Sequence, residues 1–454
     1  MDSDKLEGVL CTEGLSPAAS PEEADLIVVN TCAFVEAARE ESIECILELA
    51  KSRRPGARLV VTGCLAERYG SELARSMPEV DVVASLDRPL GSTPMDLLQL
   101  PRPPVKKPWA YVKIAEGCDR HCHFCAIPLI RGKQRSVPME SILKEVSSLD
   151  VAEVVLVAQD SLSWGRDHKG SETSYDARIA TTAKGNSKDS KDKDEEVGIA
   201  DLIRAVSDRT TWTRLLYLYP TSLDDEIIQA IIETGVPYFD LSFQHAARPL
   251  LQHMGRPGDG DRFLDLLAHI RSMEPSAVFR ASFIIGYPGE TEEDHDLLMD
   301  FLRSAQLDWA GFFPYSREDG TKAATLPDQV PPALIRERIN ECSQLQDRIT
   351  TAKRYELVGK RIEVLVDAPG EGRSYREAPE IDGMVCVPRW MRPGSIYEVV
   401  VTDAIGPDLE ARPVDAGRTR ATRTSEKHYP STYFMQQAAM QQAACPPRGH
   451  TDVH

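Results

Sequence analysis

The chain has 454 residues, of which 42% are apolar and 27% are charged, a composition typical of a globular protein with about two to four domains. Its 53 basic and 71 acidic residues give a net charge of −18, which disfavours a phosphate backbone and favours a basic protein as partner. No run of about 18 apolar residues could cross a membrane, and the start does not resemble a secretory signal peptide. We expect a soluble, cytoplasmic protein, or one from an organelle interior if a targeting segment precedes Met1.

Residues 1–100 are predicted to form an α/β domain. Apolar spacing over 3–11 indicates a helix, and the apolar runs 25–29 and 58–62 are typical of buried parallel strands. A helix is predicted over 35–51, between the two strands. Sequential parallel strands are usually neighbours, so the sequence predicts a strand–helix–strand unit.

Residues 101–108, which are rich in Pro and Lys, are predicted to be a linker. From 109 to 354, apolar runs alternate with helical segments, which predicts a partial (β/α)6 barrel with its chemistry at the carboxyl ends of the strands. The six predicted strands are 109–115, 153–157, 214–219, 238–243, 278–285 and 308–313.

Three other segments have a distinct composition. Residues 167–197 interrupt the barrel with almost no large apolar side chain, and we expect a disordered insertion there. Short alternating runs within 355–411 predict a small antiparallel β-barrel. Residues 412–454 are polar with Gln and Ala repeats, and we expect a disordered tail.

Three cysteines follow the first predicted barrel strand. Ten cysteines in a chain of this length do not indicate a disulfide framework, and the clustering of Cys118, Cys122 and Cys125 indicates metal in a reducing compartment. Three thiolates on one loop suit an iron–sulfur cubane, and three ligands for four irons leave one iron open. The alternative is a structural zinc site that includes His121 or His123.

Two further cysteines, Cys32 and Cys64, each follow a predicted parallel strand of the first domain. Carboxyl ends of neighbouring strands meet at one sheet edge, so both thiols should project from the edge where α/β sheets bind ligands. Two thiols make a poor cluster site, and a strand preceding Met1 could supply a third. The alternative is that Cys32 and Cys64 are buried cysteines without a ligand role.

The loop over 116–125 resembles that of the radical S-adenosylmethionine (SAM) enzymes, including Phe124 before the last cysteine. The resemblance implies that Cys118, Cys122 and Cys125 hold a 4Fe–4S cluster. The cofactor would chelate the open iron, and one electron from the cluster would cleave it to a 5′-deoxyadenosyl radical.

The segments 28–34, 40–43 and 63–69 are similar to the amino-terminal domain of the methylthiotransferase family, which supplies three cysteines to a second 4Fe–4S cluster. The resemblance implies that Cys32 and Cys64 are two of these ligands. The family's first strand, with its own cysteine, is not in this sequence, and Cys11 on the first predicted helix does not replace it.

The resemblance continues at the carboxyl ends of the second, fourth and fifth barrel strands, where it implies contacts to SAM. From the residues alone, the Gly-Tyr-Pro-Gly turn over 286–289 could be a simple tight loop, and His245 after the fourth strand could be structural. The implied cofactor contacts are Gln159, Asp160, Gln244, His245, Gly286, Gly289 and Glu290.

Segments 126–136, 313–321 and 372–383 resemble one branch of the family, which adds a methylthio group to the β-carbon of an aspartate in small-subunit ribosomal protein twelve. Residues 355–411 correspond to its terminal TRAM module. The acidic charge favours a basic ribosomal protein, and Asp382 is the predicted partner contact. Nucleic acid is not an expected partner, and we expect a monomer.

Two alternatives stay open. The chain could belong to the branch that methylthiolates an adenosine of transfer RNA, or it could be a non-methylthiolating relative or assembly protein without a complete second cluster. In the favoured reaction, the second cluster carries the sulfur and a second SAM supplies the methyl group, since an aspartate β-C–H is too weakly acidic for base catalysis. The sequence identifies neither the sulfur donor nor the electron donor.

Overall fold

A computed structural model describes residues 2–86, 88, 98, 100, 102–168, 197–414 and 419–420. These residues divide into two compact units, one with the residues up to Pro103 and Ser316–Glu318, the other with Pro104–Tyr315 and the described residues from Asp319 onward. None of the helices in the described ranges has both the length and the apolarity that a bilayer crossing requires.

The first unit contains a three-stranded parallel sheet in the order β1-β2-β3. The predicted first helix, both strands and the helix between them are confirmed to within two residues. The third strand is only two residues long and was not predicted. The elements are α1 Asp2–Thr12, β1 Leu26–Thr31, α2 Glu36–Ser52, β2 Arg58–Gly63, α3 Cys64–Ser76 and β3 Val82–Val83.

The second unit begins with the predicted barrel. Its six parallel strands form two three-stranded sheets, and a parallel bridge between Leu218 and Leu241 joins them. A short antiparallel pair, β5 with β6, follows the first barrel strand. The strands of this part are β4 Trp109–Lys113, β5 Ala115–Glu116, β6 Arg135–Ser136, β7 Glu153–Val157, β8 Trp212–Leu215, β9 Tyr238–Gln244, β10 Val278–Ile285 and β11 Trp309–Pro314.

Helices alternate with these strands as predicted. The third barrel strand ends at Leu215 rather than at residue 219, because Tyr217 has a φ of +64° that no continuing strand permits. The helices of the second unit are α4 Ile127–Ile130, α5 Met139–Ser148, α6 Ile199–Ser207, α7 Asp225–Glu233, α8 Arg248–His253, α9 Gly260–Met273, α10 Glu292–Ala305 and α11 Pro332–Tyr355.

The barrel strands separate an apolar outer face from a polar inner face. Phe243 of β9 and Phe283 of β10 pack against Phe301 of α10, with ring centroids 5.6 and 6.1 Å away. Because side chains alternate along a strand, Ser242 and Ser282 point the other way, and both are partly exposed. The barrel therefore has a polar lumen.

The carboxy-terminal strands form a closed barrel, in which β12-β13-β14-β16-β15 are paired in a ring and β17 extends the sheet. One pair, β14 with β16, is parallel, so the prediction of a wholly antiparallel barrel is wrong for that pair. The strands are β12 Arg361–Ala368, β13 Glu371–Arg373, β14 Val385–Cys386, β15 Ile396–Ile405, β16 Asp408–Pro413 and β17 Thr419–Arg420.

Two predicted disordered segments lie largely outside the described residues. Residues 167 and 168 end a short 3-10 turn, Arg166–His168, and the predicted insertion from 169 to 196 lies outside the described residues. The predicted tail begins two residues too early, because β16 continues to Pro413 to complete its pairing with β15. Beyond Arg420 the tail also lies outside the described residues.

The segment between β13 and β14, residues 374–382, packs against the amino-terminal ends of the barrel strands, and we call it the floor segment. Arg214 of β8 donates hydrogen bonds to two of its carbonyls at 3.0 Å each. Trp309, at the start of β11, donates to the Arg376 carbonyl at 2.8 Å. Tyr111 of β4 donates to the Pro379 carbonyl at 2.9 Å. The floor segment thus joins the terminal barrel to the larger one.

Candidate functional site

The three clustered cysteines lie on the loop between β5 and α4, beside the carboxyl end of β4. The loop turns at Gly117, which has a φ of +80°, and a Cβ there would lie 2.3 Å from the Lys133 carbonyl oxygen. Only glycine fits this approach. The next residue, Cys118, donates its N–H to the Gly132 carbonyl at 3.2 Å, so the cysteine loop is folded onto the chain that follows it.

The end of α8 holds the other side of this loop. His123 donates its backbone N–H to Met254 at 2.9 Å, and its Nδ1 lies 2.7 Å from the His253 carbonyl. The same carbonyl accepts the Tyr287 hydroxyl at 2.8 Å, which ties the turn after β10 to the cysteine loop. The predicted zinc alternative needs a histidine ligand. His121 is exposed, and His123 uses its Nδ1 to fix the loop while its Nε2 lies 3.5 Å from the Lys322 Nζ.

The three thiols share a partly buried environment. Burial raises the pKa of Cys118, and it raises the pKa of Cys125 to about 12, with smaller contributions from the neighbouring thiols Cys122 and Cys118. The thiols therefore lie close enough to interact. Within the described ranges, no three His, Cys, Asp or Glu side chains are arranged around one metal ion. A cubane makes a different demand, since each thiolate binds a different iron, and a donor set of three soft sulfurs fits it.

Two predicted cofactor contacts, Gln159 and Asp160, lie next to this loop at the end of β7. Gln159 donates to Glu116 at 3.1 Å, and Asp160 accepts from Arg120 at 2.6 Å. Each retains a buried oxygen without a hydrogen-bond partner among the described residues, Oε1 of Gln159 and Oδ1 of Asp160. Buried acceptors are normally satisfied, so these two fit a ligand that donates hydrogen bonds.

The pair at the end of β9 divides into one accessible and one inaccessible residue. Gln244 is partly exposed and has a φ of +71°, an unusual conformation of the kind that concentrates at functional sites. His245 is 0% exposed, and its Nδ1 accepts the Ala247 N–H at 3.0 Å. Burial lowers the pKa of His245 to about 3. His245 is therefore a neutral, buried residue that fixes the start of α8. Its Nε2 has no hydrogen-bond partner among the described residues, and its contact to the cofactor stays a prediction.

The turn over 286–290 packs closely against α11. At Gly286, with a φ of +82°, a Cβ would lie 2.3 Å from a side-chain carbon of Ile335 on α11. The buried Glu290 carboxylate accepts the Gly286 N–H at 2.5 Å and pairs with Arg338 at 2.9 Å. These contacts fix the turn, and the roles of Gly286 and Glu290 as cofactor contacts stay predictions. Gly289 has open space beside its Cα and stays a predicted contact.

The first unit places Cys32 and Cys64 at the same sheet edge. Thr31 pairs with Gly63 in the parallel register of β1 and β2, and each cysteine is the next residue. A Cβ on Gly63 would lie 2.5 Å from the Thr31 carbonyl oxygen, so glycine permits this close approach. Ser42 of α2 brackets Cys32, donating to its carbonyl at 3.0 Å and accepting its N–H at 3.2 Å. Their role as iron ligands stays a prediction.

Comparison with known proteins identifies the family. Three family models match in chain order: uncharacterized protein family UPF0004 over residues 1–85, the radical SAM superfamily over 112–302 and the TRAM domain over 358–414. The ribosomal protein uS12 methylthiotransferase RimO of Moorella thermoacetica is 38% identical over 429 residues, covering 88% of this chain and 93% of the relative. The RimO protein of Aquifex aeolicus is 38% identical over 442 residues, covering 92% and 95%.

The chain belongs to the RimO methylthiotransferase family. Membership confirms the predicted resemblance and the predicted order of an amino-terminal domain, a radical SAM barrel and a TRAM barrel. The radical SAM match implies a 4Fe–4S cluster and SAM, and the RimO family carries a second iron–sulfur cluster. Among solved structures, the radical SAM methyltransferase TsrM of Kitasatospora setae matches with a TM-score of 0.45 and 14% identity, covering 78% of this chain and 82% of that one.

The structure contradicts the predicted role of Asp382 as a surface contact for the partner. Its side chain is 2% exposed, accepts hydrogen bonds from the Tyr238 hydroxyl at 2.5 Å and the Ala378 N–H at 2.9 Å, and lies 3.6 Å from Arg280. The floor segment turns this acid into the barrel because β9 and β10 offer it a hydroxyl and a guanidinium. The prediction is wrong because the acidic pattern does not show which way the carboxylate faces.

Burial makes Asp382 a source of pH dependence. It raises the pKa of Asp382 to about 6, against the opposing effects of Arg280, the Tyr238 hydroxyl and the Ala378 N–H. An unfolded aspartate has a pKa of about 3.9, so the folded chain binds this proton more tightly. The stability that results is fully present below about pH 4 and is lost as the pH rises through about 6.

We expect the substitution Asp382→Asn to remove this dependence. The stability advantage of the wild type over the variant should shrink by about 2 kcal/mol between pH 4 and pH 7, as measured by urea unfolding at each pH. Asp300→Asn is the matched control, because its side chain is 75% exposed. A difference between wild type and D382N that stays constant with pH would contradict the assignment.

Proposed function

We propose that this chain is a radical SAM methylthiotransferase that adds a methylthio group to the β-carbon of an aspartate in ribosomal protein uS12. The relatives that span about nine-tenths of the chain are named ribosomal protein uS12 methylthiotransferases. The observation that carries the proposal is the loop of Cys118, Cys122 and Cys125, which the fold fixes beside the carboxyl end of β4 and beside buried, unpartnered oxygens.

Cys118, Cys122 and Cys125 would hold the SAM-binding 4Fe–4S cluster. That cluster, when bound, would supply the electron that cleaves SAM and so starts abstraction of the β-hydrogen from the aspartate. The chain's own residues position the cofactor: Gln159 and Asp160 offer their free oxygens as acceptors, and hydrogen-bond donors on the cofactor would satisfy them.

Cys32 and Cys64 would hold two irons of the second cluster, which carries the sulfur to be transferred. Cys32 and Cys64 directly follow paired residues of β1 and β2, which supports this role because the ligands of one cluster must lie close together. The third ligand is not assigned to a residue of this chain.

The substrate aspartate would enter the polar lumen of the barrel from the carboxyl ends of the strands. The net charge of −18 supports a basic protein as partner, since opposite charge speeds encounter. We propose that the protein acts as a monomer in the cytoplasm, where the ribosomal protein is available. Transfer RNA is disfavoured by the same charge.

The decisive experiment offers both substrates to the anaerobically reconstituted protein. We expect a mass gain of one methylthio group on an aspartyl peptide of the ribosomal protein, none on unmodified transfer RNA, and association that weakens as salt rises. A protein in which both clusters are complete, including the third ligand of the second cluster, should hold about eight irons per chain.

Two other outcomes would redirect the assignment. Modification of the RNA with none on the protein would contradict it in favour of the transfer RNA branch. SAM cleavage with about four irons and no methylthiolation would indicate the non-methylthiolating alternative.

A further inference from the structure

Arg256, in the connection between α8 and α9, is a buried cation beside the cysteine loop. It is 7% exposed, its Nη1 lies 3.6 Å from the Cys122 sulfur, and its Nη2 donates to the Ser242 carbonyl. No Asp or Glu in the part of the chain that the structure describes forms an ion pair with it. A buried cation is costly unless an anion compensates it, so an anion is expected next to this guanidinium.

A neighbouring arginine, Arg120, has the carboxylate partner that Arg256 lacks among the described residues. Arg120 and Arg256 lie on the Tyr219 ring, with guanidinium carbons 3.8 and 3.9 Å from its centroid. Arg120 is compensated by the Asp160 carboxylate at 2.6 Å. Arg256 has the same aromatic support, but its polar neighbours are a neutral carbonyl and a cysteine sulfur. The uncompensated charge is therefore directed at Cys122.

We propose that Arg256 is a positioning residue that compensates the negative charge of the cluster bound through Cys122 and thereby raises the reduction potential of that cluster. The inference rests on the proposed SAM-binding cluster and deepens it. The Tyr219 ring and the Ser242 carbonyl hold the guanidinium in place, so that the charge is aimed before the cluster binds.

The direction of the effect follows from charge. One electron from an external low-potential donor makes the cluster and its three thiolates one unit more negative. A fixed cation at a ligating sulfur stabilises the reduced state more than the oxidised one, and donors to the sulfurs and net charge are known determinants of cluster potential. Loss of the Arg256 charge should therefore make the cluster harder to reduce.

The test uses the full-length protein, reconstituted anaerobically and titrated potentiometrically with spin-resonance detection in the absence of SAM. For Arg256→Gln we expect at least a tenfold shift of the reduction equilibrium towards the oxidised cluster, which is about 59 mV for a one-electron couple. Arg256→Lys keeps the charge, but the lysine side chain cannot contact the Ser242 carbonyl and the Cys122 sulfur at the same time. The reduction potential of R256K should therefore lie between those of the wild type and R256Q. Arg262→Gln, with a side chain that is 72% exposed on α9, should match the wild type.

Each outcome decides between readings. An R256Q protein with full iron content and a wild-type potential would overturn the inference. If R256Q binds less iron than the wild type, the R256K variant is used for the test instead. A cluster in R256K with the same reduction potential as in the wild type would then overturn the inference. If Arg256 binds the SAM carboxylate instead, R256Q would weaken SAM binding and leave the potential without SAM unchanged, which also overturns it. Wild-type protein that takes up no cluster would contradict the proposed function itself.

Discussion

Replacing Cys122 by alanine should reduce cleavage of SAM to the background rate. The three thiols of the loop each bind a different iron in the proposed cluster, so loss of one leaves an iron without a protein ligand. The fold cannot replace it, because Gly117, Gly132 and the end of α8 fix the loop on both sides. The measurement is the amount of 5′-deoxyadenosine released after anaerobic reconstitution and reduction.

A matched control distinguishes the loss of a cluster ligand from a nonspecific effect of replacing a cysteine. Cys386 lies on β14 of the terminal barrel and is exposed, so Cys386→Ala should cleave SAM at the wild-type rate. Iron content and thermal unfolding should be recorded for both variants. Cleavage by C122A at a rate near that of the wild type would refute the assignment of the loop.

The strands and helices were predictable because their signals are local. Each barrel strand is a short apolar run between polar segments, and all six were found. The errors have nonlocal causes. The third strand ends early because Tyr217 adopts a left-handed conformation, in which the Asp240 carboxylate accepts its N–H at 3.0 Å. The parallel pair of β14 and β16 depends on how the terminal barrel closes, which no local pattern encodes.

The candidate site also has parts that local sequence patterns predict and parts that depend on distant residues. The cysteine loop was predictable since its ligands lie within eight residues, whereas its supports come from distant chain segments such as His253. The burial of His245 and Glu290 was not predictable, because a position after a strand does not reveal whether the side chain faces the lumen or the surrounding helices. A signal for the floor segment was present in the sequence: Glu153 and Arg214 are charged residues inside apolar strands, which require buried partners.

These two charges belong to a buried network that links the barrel to the TRAM domain. Glu153 is 0% exposed and pairs with Arg214 at 2.8 Å and with Arg373 of β13 at 2.7 Å. Burial alone would raise the pKa of Glu153, but the two guanidinium groups outweigh it and hold the pKa below its ordinary value. Arg373 also pairs with Asp367 at 2.6 Å, so the four charges balance. The glutamate is the member that both arginines share.

Substituting Glu153→Gln should therefore destabilise the second unit by about 3–5 kcal/mol, because it leaves two buried guanidinium groups with one carboxylate. Urea unfolding followed by tryptophan fluorescence measures the effect, since Trp109 and Trp309 lie at the start of barrel strands. Glu233→Gln is the matched control: Glu233 pairs with Arg204 at 3.0 Å with a side chain 45% exposed, so its loss should cost about 0.2–1 kcal/mol. A cost for E153Q as small as that of E233Q would show that the network does not hold the TRAM domain on the barrel.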